Sequence, residues 1–158
     1  MPQRVLRKAN RPTPAHVSYL FQIERMAPSY SFGTDEGRYA TSGYAEYHHT
    51  EIDTVCLLPE RLKGRAVSFT IMGDRRLDKQ LAGELTLQNQ PLGIGTLTVR
   101  GKQSNYLGSL PFDAALPIPA IILAGGYSFI SLSGEALRHG SAQIRYMTFR
   151  TSFDPEDF

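Results

Sequence analysis

The stretch VSYLFQIE at residues 17–24 sets the pattern from which the fold class follows. Its odd-numbered positions are all apolar: Val17, Tyr19, Phe21 and Ile23. Side chains of a β-strand point alternately to opposite faces, so an apolar residue at every second position predicts a strand with one buried face.

Short alternating segments recur along the chain, separated by turn residues. They lie at 38–58, 67–71, 85–88, 94–100, 127–132 and 142–153, with 85–100 expected to form a β-hairpin. In the last segment, predicted to be the longest strand, Ile144, Tyr146 and Thr148 should share one face. Fourteen glycines and ten prolines supply the turns, so 27–37 is predicted to be a loop and 73–76 a turn. Short helical turns are expected at 59–64 and 119–124.

This pattern predicts an all-β fold, a mainly antiparallel β-sandwich or barrel-like structure of seven to nine strands with at most one or two short helices. No long amphipathic helix is available for a βαβ crossover. The 158 residues suit one domain. We expect an extended, basic, Pro-rich arm at 1–16, a single β-sandwich domain at 17–153 and an acidic tail at 154–158. The tail is a candidate to fold back on the arm or on a neighbouring subunit.

Cysteine content and hydropathy indicate the cellular compartment expected for this protein. Cys56 is the only cysteine, so no intrachain disulfide can form, and its apolar neighbours predict a buried thiol. No apolar segment approaches the roughly 20 residues needed to span a bilayer. The expectation is a soluble, cytoplasmic protein with no membrane partner.

One cluster of potential metal ligands occurs at residues 47–53. In a regular strand, His49, Glu51 and Asp53 would line one face, and imidazole with carboxylates can bind zinc, iron or manganese. His48 or His139 would supply a further imidazole. The spacing departs from common metal-site patterns, and a solvent-facing polar face explains it equally well. A metal-dependent enzyme is therefore an alternative, and no cofactor is otherwise predicted.

A second candidate is a basic surface at residues 61–79 that could bind phosphates or RNA. Six basic residues outnumber two acidic ones here: Arg61, Lys63, Arg65, Arg75, Arg76 and Lys79. A solvated surface loop would have the same composition. No nucleic-acid-binding motif accompanies the charge.

Aromatic residues form a third candidate, since five fall between residues 30 and 47: Tyr30, Phe32, Tyr39, Tyr44 and Tyr47. Exposed rings of this kind stack on bases or sugars, or anchor a protein interface. Packing in the core or at a sheet edge is the competing explanation, because strands favour tyrosine.

No nucleophile motif or phosphate-binding loop is present in the sequence, so no catalytic residue is predicted. A non-catalytic binding or assembly module is the function that this sequence favours, with a protein partner or a second copy of the chain as ligand. Nucleic acid is the weaker alternative partner.

Overall fold

The computed structural model describes residues 16–37, 43–85 and 93–158. Its strands are β1 His16–Thr34, β2 Tyr44–Leu58, β3 Ala66–Asp74, β4 Gly95–Arg100, β5 Gln103–Pro111, β6 Phe129–Glu135 and β7 Ser141–Arg150. Three short helices are α1 Arg75–Leu81, α2 Phe112–Ala115 and α3 Ile118–Leu123, with 3₁₀ turns at Glu60–Leu62 and Pro155–Asp157. The predicted all-β class is confirmed.

The strands pair in the order β1-β2-β3-β5-β4-β7-β6, and β6 pairs with β1 again, so the sheet closes into a barrel. Six of these seven pairings are antiparallel, and β3 with β5 is parallel. Closure removes sheet edges that would otherwise present unpaired backbone groups. The β-hairpin predicted at 85–100 is wrong. Its second strand corresponds to β4, and both edges of β4 are occupied by β5 and β7. Residues 86–92 lie outside the described residues.

The core is made by the inward side chains of the barrel strands. Tyr19 and Phe21 are fully buried, as the opening alternation predicted. The ring of Phe21 meets Phe69 edge-on, with 5.0 Å between centroids, and Phe69 contacts Tyr106 at 5.1 Å. Cys56 is also buried, as expected. Burial of such aromatic area is the main favourable term in the folding of a chain without disulfides.

Strand β1 is much longer than the sequence pattern indicated. The loop expected at 27–37 is wrong, because β1 continues to Thr34 and pairs with β2 as far as Thr34–Tyr44. A register shift between Ile23 and Arg25 inserts one extra residue, so inward positions change from odd to even numbers. Cross-strand pairing thus overrides the turn propensity of this segment.

Two further elements differ from their predictions. Residues 73–76 do not form a turn: β3 runs to Asp74, whose side chain accepts a hydrogen bond from the Arg76 N–H at 2.8 Å and caps α1. In β7 the predicted face of Ile144, Tyr146 and Thr148 is wrong. A bulge opposite Ser133/Gly134 shifts the register there. Ile144 is therefore buried while Tyr146 is 67% exposed.

The chain ends meet the barrel in different ways. Strand β1 begins at His16, the last residue of the predicted arm, and the rest of that arm, residues 1–15, lies outside the described residues. The acidic tail packs on the molecule itself: Asp157 lies 3.9 Å from Arg150, and the Arg150 guanidinium lies 5.6 Å from the Phe158 ring. At 10 residues, β7 is shorter than β1 with 19 and is not the longest strand.

Within the described part of the chain, no helix is long and apolar enough to cross a membrane.

Candidate binding site

A two-stranded ribbon extends from one end of the barrel. It consists of Arg25–Thr34 of β1 and Tyr44–Asp53 of β2, and it is called the ribbon below. Strand β1 pairs with β6 only as far as Gln22, and β3 pairs with β2 only from His49. Over 44–48, β2 therefore pairs with β1 alone among the described residues. The outer half of the ribbon has no third strand beside it.

The two faces of the ribbon follow from its register. Residues directly opposite in an antiparallel pair share a face, so Tyr30 with His48 and Phe32 with Glu46 lie on one side. His48 is buried at the barrel end, so this side continues the barrel interior and is called the inner face. The outer face carries the alternate residues Tyr47, His49 and Glu51.

Four of the five predicted aromatic residues lie on the ribbon with exposed rings; Tyr39 lies outside the described residues. Tyr30 is 56% exposed, Phe32 65%, Tyr44 62% and Tyr47 64%. Phe32 and Tyr44 stack on the inner face with centroids 5.6 Å apart and planes inclined by 12°. These four rings are therefore not packed in the core; they lie on strands at the sheet edge and present an aromatic surface to solvent. Contiguous exposed apolar surface of this kind marks interaction sites.

On the outer face, a hollow of about 270 Å³ lies beside Tyr47. His49 and Glu51 line it from β2, and Met72 of β3 lines it from the next strand. Met72 is itself 39% exposed. The hollow therefore combines an aromatic ring, a thioether and a carboxylate in one small depression.

One arginine anchors the outer half of the ribbon to the end of the barrel. Arg75, at the start of α1, donates to Glu46 at 3.1 Å and to Asp113 at 2.9 Å, and its guanidinium lies 4.0 Å above the Phe112 ring. Tyr30 also donates its hydroxyl to Glu46, at 3.1 Å. The hydrogen bond from Arg75 lowers the pKa of Glu46 and keeps this carboxylate charged. The sequence analysis missed this role of Arg75 and Glu46, because 29 positions separate the pair and no motif links them.

The ribbon and its immediate flanks are acidic. Residues 25–53 contain two basic residues, Arg25 and Arg38, against five acidic ones: Asp35, Glu36, Glu46, Glu51 and Asp53. Arg25 is already bound to Asp53, with 2.6 Å between nitrogen and oxygen. Such a surface repels phosphate groups and attracts cations.

Where the ribbon meets the barrel, two polar side chains are buried without a partner. His48 is 6% exposed and Thr50 2%, and neither Nδ1 of His48 nor Oγ1 of Thr50 has a hydrogen bond among the described residues. The His48 ring instead contacts Phe112 edge-on, with 5.9 Å between centroids. Burial lowers the pKa of His48, and the neighbouring His49 lowers it further, so the neutral form is favoured.

The predicted metal ligands are not brought together. His49 and Glu51 share the outer face, with 4.0 Å between nitrogen and oxygen, but Asp53 is engaged by Arg25. His48 points to the opposite face, and His139 lies in the turn between β6 and β7. Residues 16–37, 43–85 and 93–158 contain no group of three His, Cys, Asp or Glu side chains that could bind a metal ion. Of the three ligands predicted for one face, Asp53 is therefore paired with Arg25, and only His49 and Glu51 lie close together.

The predicted basic surface is divided into two parts by strand β3. Arg65 precedes β3 and Arg75 follows it, so they lie about 30 Å apart along the chain. The first part contains Arg61, Lys63 and Arg65, all before β3, and Arg65 donates to the Gly101 carbonyl at 2.8 Å. The second part contains Arg75, Arg76 and Lys79, all on α1. Sequence proximity therefore overstated the local positive charge.

Cys56 has the geometry of an inert thiol. Its S–H donates to the Leu58 carbonyl at 3.2 Å, and burial raises its pKa to about 11. The thiolate is the reactive form of cysteine, and it is scarcely populated at such a pKa.

Comparison of the chain with protein-family models, curated proteins and solved structures finds no match. The function is therefore argued from the geometry alone.

Proposed function

We propose that this protein is a non-catalytic binding and assembly module that engages a protein partner, in the first place another copy of itself, through the ribbon. The observation that carries the proposal is the exposure of four aromatic rings on a ribbon that extends beyond the barrel. An isolated two-stranded hairpin is marginally stable in water, so a partner that covers these rings would stabilise it. Tyrosine is also among the residues that dominate binding energy at interfaces.

Backbone chemistry indicates that the faces of the ribbon make the contact. Pro28, which has no N–H to donate, lies in the part of β1 that pairs with β2 alone among the described residues. Proline within a sheet is confined to edges, where it discourages pairing with a further strand. A partner would therefore meet side chains on the faces more readily than backbone on the edge.

The test compares two exposed tyrosines in the full chain. Tyr47→Ser on the ribbon is expected to raise the self-dissociation constant, measured by sedimentation velocity, by about tenfold or more, as for loss of an interface anchor. Tyr146→Ser is the matched control, because Tyr146 is 67% exposed on β7 and Tyr47 is 64% exposed. Equal effects of the two substitutions, or a wild-type chain that stays monomeric at every concentration, would contradict the proposal.

A second candidate is single-stranded nucleic acid, favoured by one observation: flat, exposed rings stand near a basic helix. Bases stack on such rings with little sequence preference. Arg76 and Lys79 of α1 form no ion pair among the described residues, and α1 begins at Arg75, which contacts the ribbon. Steeply salt-dependent binding of a labelled oligothymidylate that Phe32→Ser abolishes would support this function. The acidity of the ribbon places it second.

A further inference from the structure

The surface chemistry of the ribbon suits one type of peptide, a basic segment rich in proline. Proline-rich segments dock on aromatic surfaces because they lose little conformational entropy on binding. Arginine stacks on aromatic rings and pairs with carboxylates at the same time. The ribbon supplies both, with Phe32 stacked on Tyr44 on the inner face and Tyr47 beside Glu51 on the outer face.

This chain contains such a segment at residues 1–15. It holds four basic residues, Arg4, Arg7, Lys8 and Arg11, and no acidic one. Three prolines accompany them: Pro2, Pro12 and Pro14. Its excess of four positive charges is opposite in sign to the excess of three negative charges over residues 25–53.

We propose that the ribbon of one copy binds residues 1–15 of a second copy. The inference rests on the proposed function and names the ligand of the ribbon. Strand β1 starts at His16, opposite Glu135, at the end of the strand away from the ribbon. The ribbon is thus formed by one end of β1, and the segment that we propose as its ligand is joined to the other end.

Chain length favours binding between copies over binding within one copy. Tyr30 lies 14 residues beyond His16, about 46 Å along an extended strand. Fifteen residues in polyproline conformation also span about 46 Å. Reaching Tyr30 of its own ribbon would therefore consume the whole segment, and none would be left to lie across Phe32 and Tyr44. The segment of a second copy has no such constraint.

The direct test is zero-length carbodiimide cross-linking of an equimolar mixture of ¹⁴N- and ¹⁵N-labelled full-length protein. Lys8 is the only lysine in residues 1–15. We expect amide cross-links from Lys8 to Asp35, Glu36 or Glu51, with mixed-isotope pairs as frequent as same-isotope pairs. Lys8→Arg keeps the charge but should abolish these cross-links. Cross-links found only within one isotope, or only to carboxylates away from the ribbon, would overturn the inference.

A second experiment separates failure of the inference from failure of the proposed function. Charge reversal of the segment (R4E, R7E, K8E and R11E together) and Phe32→Ser are compared by sedimentation velocity in the full chain. Each is expected to raise the self-dissociation constant by about tenfold or more. If only Phe32→Ser does so, the ribbon binds another part of its partner, and the inference fails while the proposed function stands. If neither does so, both fail. Oligothymidylate binding without self-association would likewise overturn both.

Discussion

His48 and Thr50 form an unusual pair at the scale of single residues. Both are buried at the base of the ribbon, with polar atoms that lack a hydrogen bond among the described residues. A buried polar atom without a partner lowers stability by about 1–3 kcal/mol. For His48 the loss grows when the ring is protonated, because its charged form would face the Phe112 ring in place of water.

Stability should therefore fall at acid pH in a way that depends on His48. Burial lowers its pKa in the folded chain below the ordinary value of about 6.5, so the unfolded chain takes up the proton at higher pH. The favourable contribution is complete above about 6.5 and is lost as the pH falls toward and through the folded pKa. Urea unfolding over this range should show a smaller acid loss for His48→Leu than for wild type.

His49→Ala is the control for that experiment, because His49 is the neighbouring histidine on the exposed outer face. It should leave most of the acid loss in place. Parallel pH profiles for wild type and His48→Leu would contradict the assignment.

Two glycines in neighbouring strands make room for the Tyr106 ring. Gly95 of β4 is paired with Gly108 of β5, and Tyr106 is buried above both. A Cβ on Gly108 would lie 2.8 Å from the Ile94 carbonyl oxygen and closer still to the Tyr106 hydroxyl. Only glycine fits beneath this ring, a requirement that no alternation pattern reveals.

Gly108→Ala should destabilise the protein by about 1–3 kcal/mol, the usual effect of overpacking a core. Denaturant unfolding measures the change. Tyr106→Phe in the same chain removes the crowded hydroxyl and should recover part of the loss. Gly33→Ala is the control, because a Cβ there meets nothing within 4 Å. Similar losses at Gly33 and Gly108 would contradict the packing argument.

At the scale of elements, the ribbon depends on one contact with the helical end of the barrel. Arg75 connects Glu46 of β2 to Asp113 of α2. Asp78 of α1 joins the same assembly by accepting the Phe112 N–H at 2.9 Å. These contacts attach the outer half of the ribbon to the helical end of the barrel.

Arg75→Ala should loosen the ribbon while leaving the barrel intact. Hydrogen exchange at 44–48 should become faster, because the Glu46 carboxylate loses its positively charged partner. Protection in β6 and β7 should be unchanged. Arg76→Ala tests specificity, since the Arg76 side chain makes no ion pair among the described residues. Equally slow exchange of the backbone amides at 44–48 in both variants would contradict this role of Arg75.

The limits of sequence reasoning appear at this same scale. Alternation correctly placed Tyr19 and Phe21 in the interior, because one inward residue at every second position is a local property, but it did not predict that Leu20 between them is also buried. It failed where bulges change the register, as before Arg25 and near Ile144. The aromatic cluster was found from composition, but its exposure depends on where β3 and β6 stop pairing with their neighbours. That is a property of the whole sheet.

The closure of the barrel determines the stability of the whole molecule. Each strand in the barrel is held on both sides, and the closing pair β1–β6 joins residues more than 100 positions apart. The all-β fold class could be predicted from the sequence, whereas the order of strands and the parallel β3–β5 pair could not. They depend on long-range contacts that leave no local signature.

A closed barrel of this kind should unfold in one cooperative step. Far-ultraviolet circular dichroism and tyrosine fluorescence should give coincident denaturation curves, since no strand of the ring can leave without exposing the core. The chain has eight tyrosines and no tryptophan, so tyrosine provides the fluorescence signal. Transitions that separate by probe would show that the barrel contains independent parts.

The continuity of β1 has a mechanical consequence. The strand that forms half of the ribbon is also hydrogen-bonded to β6 through seven successive residue pairs in the barrel. Tension applied along the ribbon would act on those pairs in shear, so many hydrogen bonds would have to break at the same moment. A tether attached at the ribbon would therefore resist force far better than one attached to a strand that can be peeled away one bond at a time.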